Sequence, residues 1–357
     1  YYFGGNAAEL ITTSLLAVNE AEGASRGAPA SAGTPRGLPR PYAYLGYLTG
    51  LARLHPVARA YFQQAVEAGQ AAQDPDGVAF ALMTEAAYRL GLCDWPAAER
   101  AAEEALAIQI ANDNAMDAEL IDTLLGHIEY FTGRIEASRR RFEALHAAAS
   151  RRHNQQHRAW GLYATARCDI ADGREARAQS LTPGTQAIPS PGALRALPLL
   201  AEAEAILADL SDEASELIVD GLFAQAHLAL GDLDAATLRA DRLARRIDRF
   251  HVPTVFSTVH AYVALAEVRL FLWEQRRAGA SIAALRACAL LEAFAALFPF
   301  ARPAALRCQA RARGLLGQRA EAVRGLARSA ETAHRLGMPH EEVLARREME
   351  RLPSITR

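Results

Sequence analysis

The side chains with the most chemical potential are histidines, carboxylates and arginines set in alanine-rich sequence. His153 and His157 stand four residues apart in His-Asn-Gln-Gln-His, a spacing that would put two metal ligands on one helix face. A zinc hydrolase of that pattern needs a glutamate directly after the first histidine as general base, and a third ligand downstream. Asn154 holds the glutamate's place, so the pair reads as polar side chains at a helix start. The adjacent carboxylates Glu103 and Glu104, like Glu341 and Glu342, diverge by about 100° on a helix and cannot share a proton. No serine sits in a G-x-S-x-G turn. No lysine occurs, so all 39 basic residues are arginine, and neither a phosphate-binding lysine loop nor Schiff-base chemistry is open to the chain. The sequence predicts no catalytic residue, no cofactor and no metal.

Arginine is a different matter. Arg139, Arg140 and Arg141, with Arg151, Arg152 and Arg158, concentrate positive charge over two successive helices. Together they could line a groove that receives an acidic peptide or a phosphate. The reading favoured over that groove is a solvated charged face, pairing with Glu136 and Glu143 at helical spacing. Aromatic residues do not interleave with them as stacking platforms for bases would require, so nucleic acid is not the expected partner. Trp95, Trp160 and Trp273 fall near expected helix ends and read as wedges between helices. Arg302, just before Pro303, reads as a buried structural arginine at a helix start.

What would position such residues follows from composition and punctuation. Of 357 residues 51% are apolar, alanine dominates them, and only 7% are aromatic, which suits helices packed closely on one another. The formal net charge of −2 gives no global field toward nucleic acid or anionic membrane. Cys93, Cys168, Cys288 and Cys308 are scattered and form no C-x-x-C pair, so they read as small apolar residues in a reducing, cytoplasmic compartment. No uninterrupted apolar run reaches the roughly 18 to 20 residues of a membrane span, and no membrane insertion is expected. Tyr1 opens a helical-looking stretch, as in a piece of a longer polypeptide.

A phrase recurs along the chain: an aromatic or leucine-rich helix end, a glycine, then alanine-rich helix. It stands at Gly91 before Trp95, at Gly133 before Ile135, at Gly173 before Glu175, at Gly231 before Leu233 and at Gly317 before Ala320. The first two intervals put the unit at about 40 residues, an antiparallel helix pair with glycine as its stop. Such a pair cannot bury its apolar stripe alone, and stacked neighbours can. No stretch alternates with period two. The predicted fold is therefore all-α, a tetratricopeptide-like α-α superhelix of helical hairpins. Residues 23–41, rich in Gly, Ala, Ser and Pro, read as a flexible loop. The proline-rich segment 180–198 marks a crossover between an N-terminal stack at 1–180 and a C-terminal stack at 181–357.

Several ordered phrases carry a family resemblance. They are Tyr1-Tyr2-Phe3 with Leu15 to Glu22, Tyr130 to Gly133, Arg151 to Gln156 leading into Trp160, Pro253-Thr254 with Leu272-Trp273-Glu274, Phe298 to Pro303, and Arg335 to Glu341. In order and spacing the chain resembles the C-terminal tetratricopeptide-like region of bacterial signalling proteins that join a nucleotide cyclase or kinase to an AAA-type or STAND-type ATPase. The cyclase and ATPase motifs of those proteins have no counterpart here. The resemblance implies a non-catalytic module that binds a protein, peptide or small effector and regulates an attached ATPase or adenylate cyclase. The alternatives are a free-standing scaffold with no nucleotide chemistry and an enzyme with a cavity inside the helical array.

Overall fold

The computed structural model describes residues 12–13, 15–20, 23, 37–180, 190–249 and 255–351, with the backbone alone at 174–180. Among them there is no strand. Fifteen helices follow the short helical stretches at 12–13 and 15–20. They are α1 (Pro39–Leu51), α2 (His55–Ala71), α3 (Pro75–Gly91), α4 (Trp95–Ala111), α5 (Ala115–Phe131), α6 (Ile135–Arg151), α7 (Gln155–Ser180) and α8 (Pro191–Leu207). The remainder are α9 (Glu213–Leu230), α10 (Leu233–Ile247), α11 (Val259–Glu274), α12 (Ala280–Leu297), α13 (Arg302–Leu315), α14 (Arg319–Arg335) and α15 (Pro339–Arg351). Two compact units emerge, residues 1–128 and 129–357.

From α2 to α6 every helix has 17 residues, and a three-residue link separates it from the next. The middle residue of each link has positive φ, at Gln73, Cys93, Asp113, Gly133 and His153. The residue after it returns its N–H to the carbonyl five positions back: Asp74 to Gly69 at 2.9 Å, Asp94 to Arg89 at 3.0 Å, Asn154 to Ala149 at 3.0 Å. That reverse bond satisfies carbonyls the helix end would leave bare. The same residue then opens the next helix. Asp74 Oδ1 accepts from the Gly77 N–H at 3.0 Å, and Asn154 Oδ1 from the His157 N–H at 3.1 Å, each an N-cap. Helix and link together take 20 residues, and two of them make the expected 40.

The expected glycine stops fare unevenly. Gly133, Gly231 and Gly317 do adopt positive φ. Gly91 is a buried residue inside the end of α3, and the left-handed position belongs to Cys93. Gly173 lies within α7, which runs straight through; a Cβ there would collide with Ser190 Oγ. Its role is close approach. Gly192 of α8 faces the same spot, and a Cβ on it would strike the Asp169 carbonyl of α7. Helices α7 and α8 thus pack backbone to backbone within one unit, and the division of the chain falls at 128/129 instead of near 180. Residues 24–36 and 181–189, most of the two loop segments read from the sequence, lie outside the described residues; Pro39 to Pro41 and Pro191 to Pro198 are helical.

Each unit has its own core. In the first, Phe62 is 1% exposed and packs with Tyr47, Ala58 and Tyr88, at a ring-centroid distance of 5.3 Å from Tyr88. Burying one such phenyl ring contributes about 1.5–3 kcal/mol. In the second, Phe142, Leu162, Leu200, Leu222 and Phe223 anchor a cluster filled in by fully buried alanines. Trp160 packs at its edge, its indole N–H donating to Ser215 Oγ at 2.9 Å and Asp212 Oδ2 at 3.1 Å. Trp95 is buried, so both tryptophans serve packing as expected. Arg302 does open α13 ahead of Pro303, but it is exposed. In that helix the buried arginine is Arg307, five residues on.

Candidate functional site

The second unit holds a groove of about 640 Å³ between α6, α7 and α8. Three helical stripes build it: Glu136, Arg139, Glu143 and His146 from α6, Leu162, Thr165, Asp169 and Asp172 from α7, and Arg195 with Leu199 from α8. Spacings of three and four residues put each set on one face. Gly161 sets the width at one end. A Cβ there would lie 2.7 Å from His146 Cβ and 2.8 Å from the Phe142 carbonyl oxygen, so only glycine lets α6 and α7 meet this closely.

Asp169 is the electrostatic centre. Its side chain is 5% exposed and takes Arg139 Nη1 at 2.5 Å and Arg195 Nη2 at 2.9 Å on one oxygen. Arg139 also bonds Asp172 and reaches Glu136 at 3.2 Å. Burial alone would lower the Arg139 pKa, but the hydrogen bond and the negative charge of Asp169, with that of Asp172, hold it above its usual value. The two guanidiniums are therefore occupied. Against them stand four carboxylates, so the groove as a whole is acidic. Glu143 is exposed at its rim. Nε2 of His146 is buried with no hydrogen-bond partner among the described residues.

Of the six arginines singled out by sequence, only Arg139 lines this groove. Arg140 is 69% exposed and its nearest acid is Glu136 at 3.6 Å. Arg141 turns to Glu129, its Nε and Nη2 donating at 3.1 and 2.9 Å. Arg158 pairs with Glu202 of α8, and Arg151 and Arg152 are exposed where α6 ends. The arginines do not converge, and the one in the groove is paired with acids, so this groove is of opposite sign to the one they could have lined. Asp169, Asp172, Arg195 and His146 escaped the sequence reading. Asp169 and Asp172 sit beside the supposed stop at Gly173, and Arg195 lies beyond the proline-rich segment, so nothing local linked them.

The histidine pair is also resolved. His153 is the exposed left-handed residue of its link, outside the helix that starts at Gln155. His157 is buried and stacks on Trp160 at 4.9 Å. Buried Cys288 and half-buried Cys93 are poor nucleophiles, since desolvation pushes their thiols up to about 11 and about 12. Glu341 turns toward Arg307 and Glu342 toward Arg346, diverging as their adjacency dictates.

The backbone has a clear structural counterpart. It matches the crystal structure of a Rap protein complexed with Competence and Sporulation Factor, with a TM-score of 0.53, over 99% of this chain and 89% of that one. The fold is a tetratricopeptide-like helical repeat. At 13% identity the match speaks to the fold alone. No family model matches the sequence, and no curated protein is similar to it.

Proposed function

We propose that this chain is a non-catalytic helical-repeat module that holds an extended cationic peptide segment in the groove between α6, α7 and α8. The observation that carries this reading is the groove's charge: Glu136, Glu143, Asp169 and Asp172 outnumber Arg139 and Arg195, which are already tied to Asp169. Leu162 and Leu199 supply an apolar floor. A Rap protein of the same fold carries a bound factor, which supports a ligand-holding use of the array.

Within a longer polypeptide in a reducing, cytoplasmic setting, the module would regulate an attached ATPase or adenylate cyclase, as the resemblance implies. The ligand must then favour one of two arrangements of the helices over the other. Titration calorimetry with peptides of matched length carrying arginine and leucine, or glutamate and leucine, tests the site. The cationic peptides should bind, more weakly at high salt, and Glu136→Lys with Glu143→Lys should weaken them about tenfold or more, roughly 1.4 kcal/mol. Equal binding of the acidic peptides, or no effect of the double variant, overturns the proposal. Comparing ATPase or cyclase output of the intact polypeptide with and without this region tests the regulatory role.

A further inference from the structure

Two arginines hold Asp169 on unequal terms. Arg139 is 14% exposed, and its guanidinium is shared among Asp169, Asp172 and Glu136. Arg195 is 57% exposed, and among the described residues Asp169 is its one acidic partner. Nothing on α8 itself could hold that charge. The positions three and four residues away along the helix are Pro191, Gly192, Pro198 and Leu199, and none of them can pair with a cation. Arg195 reaches to α7 instead, and an ion pair with one partner this exposed contributes little to stability.

The grip of Arg195 is also one-sided. Its Nε donates to Asp169 Oδ1 at 3.0 Å and its Nη2 lies 2.9 Å from the same oxygen, which already takes Arg139 Nη1 at 2.5 Å. Among the described residues Oδ2 of Asp169 accepts no bond. A guanidinium binds a carboxylate best through two parallel N–H bonds, one to each oxygen, and Arg195 does not make that pair. Given the groove as the seat of a cationic peptide, on which this rests, we infer that Arg195 is the groove's internal competitor. Its guanidinium occupies the place at Asp169 that an arginine of the ligand takes. On binding, the ligand guanidinium spans both oxygens, Arg195 swings into solvent, and Arg139 stays. One cation replaces another, so a carboxylate only 5% exposed never stands without a counter-charge, which would be costly. Apparent affinity falls with the fraction of molecules in which Arg195 fills the seat. A lysine ligand, which lacks the planar fork, competes less well for it.

Titration calorimetry of the full chain with the arginine and leucine peptide, on wild type, Arg195→Gln and Arg140→Gln, reads this out. Arg195→Gln should lower the Kd about tenfold or more. Arg140→Gln removes the same charge from beside Glu136 without touching Asp169, and at physiological salt should change the Kd less than about twofold. In wild type carrying isotope-labelled arginine, the Arg195 Nε–H resonance should move to the position of a solvated side chain as peptide is added, while that of Arg139 stays. Circular dichroism and urea unfolding should find Arg195→Gln folded and about as stable as wild type. Unchanged or weaker binding by Arg195→Gln makes Arg195 a plain bridge between α7 and α8 and overturns the inference. An equal gain in Arg140→Gln assigns the effect to charge alone and overturns it too. In both cases the groove still binds peptide and the proposed function stands. Binding by neither wild type nor Arg195→Gln overturns the two together.

Discussion

Nη2 of Arg307 lies 2.9 Å from Oε1 of Glu267, with side chains only 2% and 5% exposed. Arg307 also reaches Glu348 at 3.0 Å and Glu341 at 3.6 Å, and Gln225 donates to the other oxygen of Glu267 at 3.1 Å. Burial works against the charged guanidinium, but Glu341, Glu348 and Glu267 outweigh it and keep its pKa well above the ordinary value. This cluster ties α15 to α13 and α11. Arg307→Ala should cost about 3–5 kcal/mol, because it removes the guanidinium that balances the buried charge of Glu267. Arg307→Met combined with Glu267→Leu should recover most of that loss. Urea unfolding measures both, and a double variant as unstable as the single one would contradict the assignment.

Close approach of α7 and α8 depends on Gly192. A Cβ there strikes the backbone carbonyl of Asp169, a group that cannot swing aside as a side-chain tip would. Gly192→Ala should cost about 1–3 kcal/mol as overpacking. It should also weaken peptide binding, since Asp169 and Arg195 are displaced together. Thermal melts and calorimetry on the one variant should therefore change in concert.

The left-handed link residues offer a stabilising experiment. His153 and Cys93 hold φ of 56° and 63°, where a side chain costs roughly 1–2 kcal/mol that glycine avoids. His153→Gly should raise stability by about 0.5–1 kcal/mol once glycine's greater freedom in the unfolded chain is subtracted. Gly133→Ala should do the reverse and more, because φ is 81° and a Cβ would also press on Pro339. Melting temperatures of the two variants should move in opposite directions.

Acid should loosen the α8–α10 contact through Glu204. Hydrogen bonds from Arg239, at 2.6 and 2.9 Å, and from Arg242, at 2.9 Å, hold its carboxyl below the usual 4.5. A depressed carboxylate pKa adds stability above the unfolded value, lost as pH falls through the folded one. The melting temperature should therefore drop as pH goes below about 4.5, and Glu204→Gln should flatten that drop. Asp220, buried beside the same arginines, has its pKa raised, chiefly by desolvation. Its contribution has the opposite sign, present at low pH and lost as pH rises, so Asp220→Asn should leave the acid-side loss in place.

Helix content, helix pairing and the 40-residue unit were legible from the chain because alanine-rich periodicity and small-residue links are local signals. The link positions were less so. Gly133 advertises its φ, whereas Cys93, Asp113 and His153 take the same conformation without a glycine, held by the bond five residues back. Gly173 misled for the converse reason: it serves the approach of another helix, which no local pattern records. The groove was legible only through Arg139. Its sign depended on Asp169 and Arg195 meeting from different helices, and whether an arginine is spent on a neighbouring acid is a tertiary fact. The burial of Arg307 instead of Arg302 is the same lesson on a smaller scale.

The even cadence from α2 to α6 makes length a stricter inheritance than composition. One residue added inside any of these helices turns everything downstream by about 100° and swings the next buried face into water, while a changed side chain disturbs only its own surroundings. Homologues of this chain should therefore differ freely in letters yet keep their gaps to the segments outside that cadence.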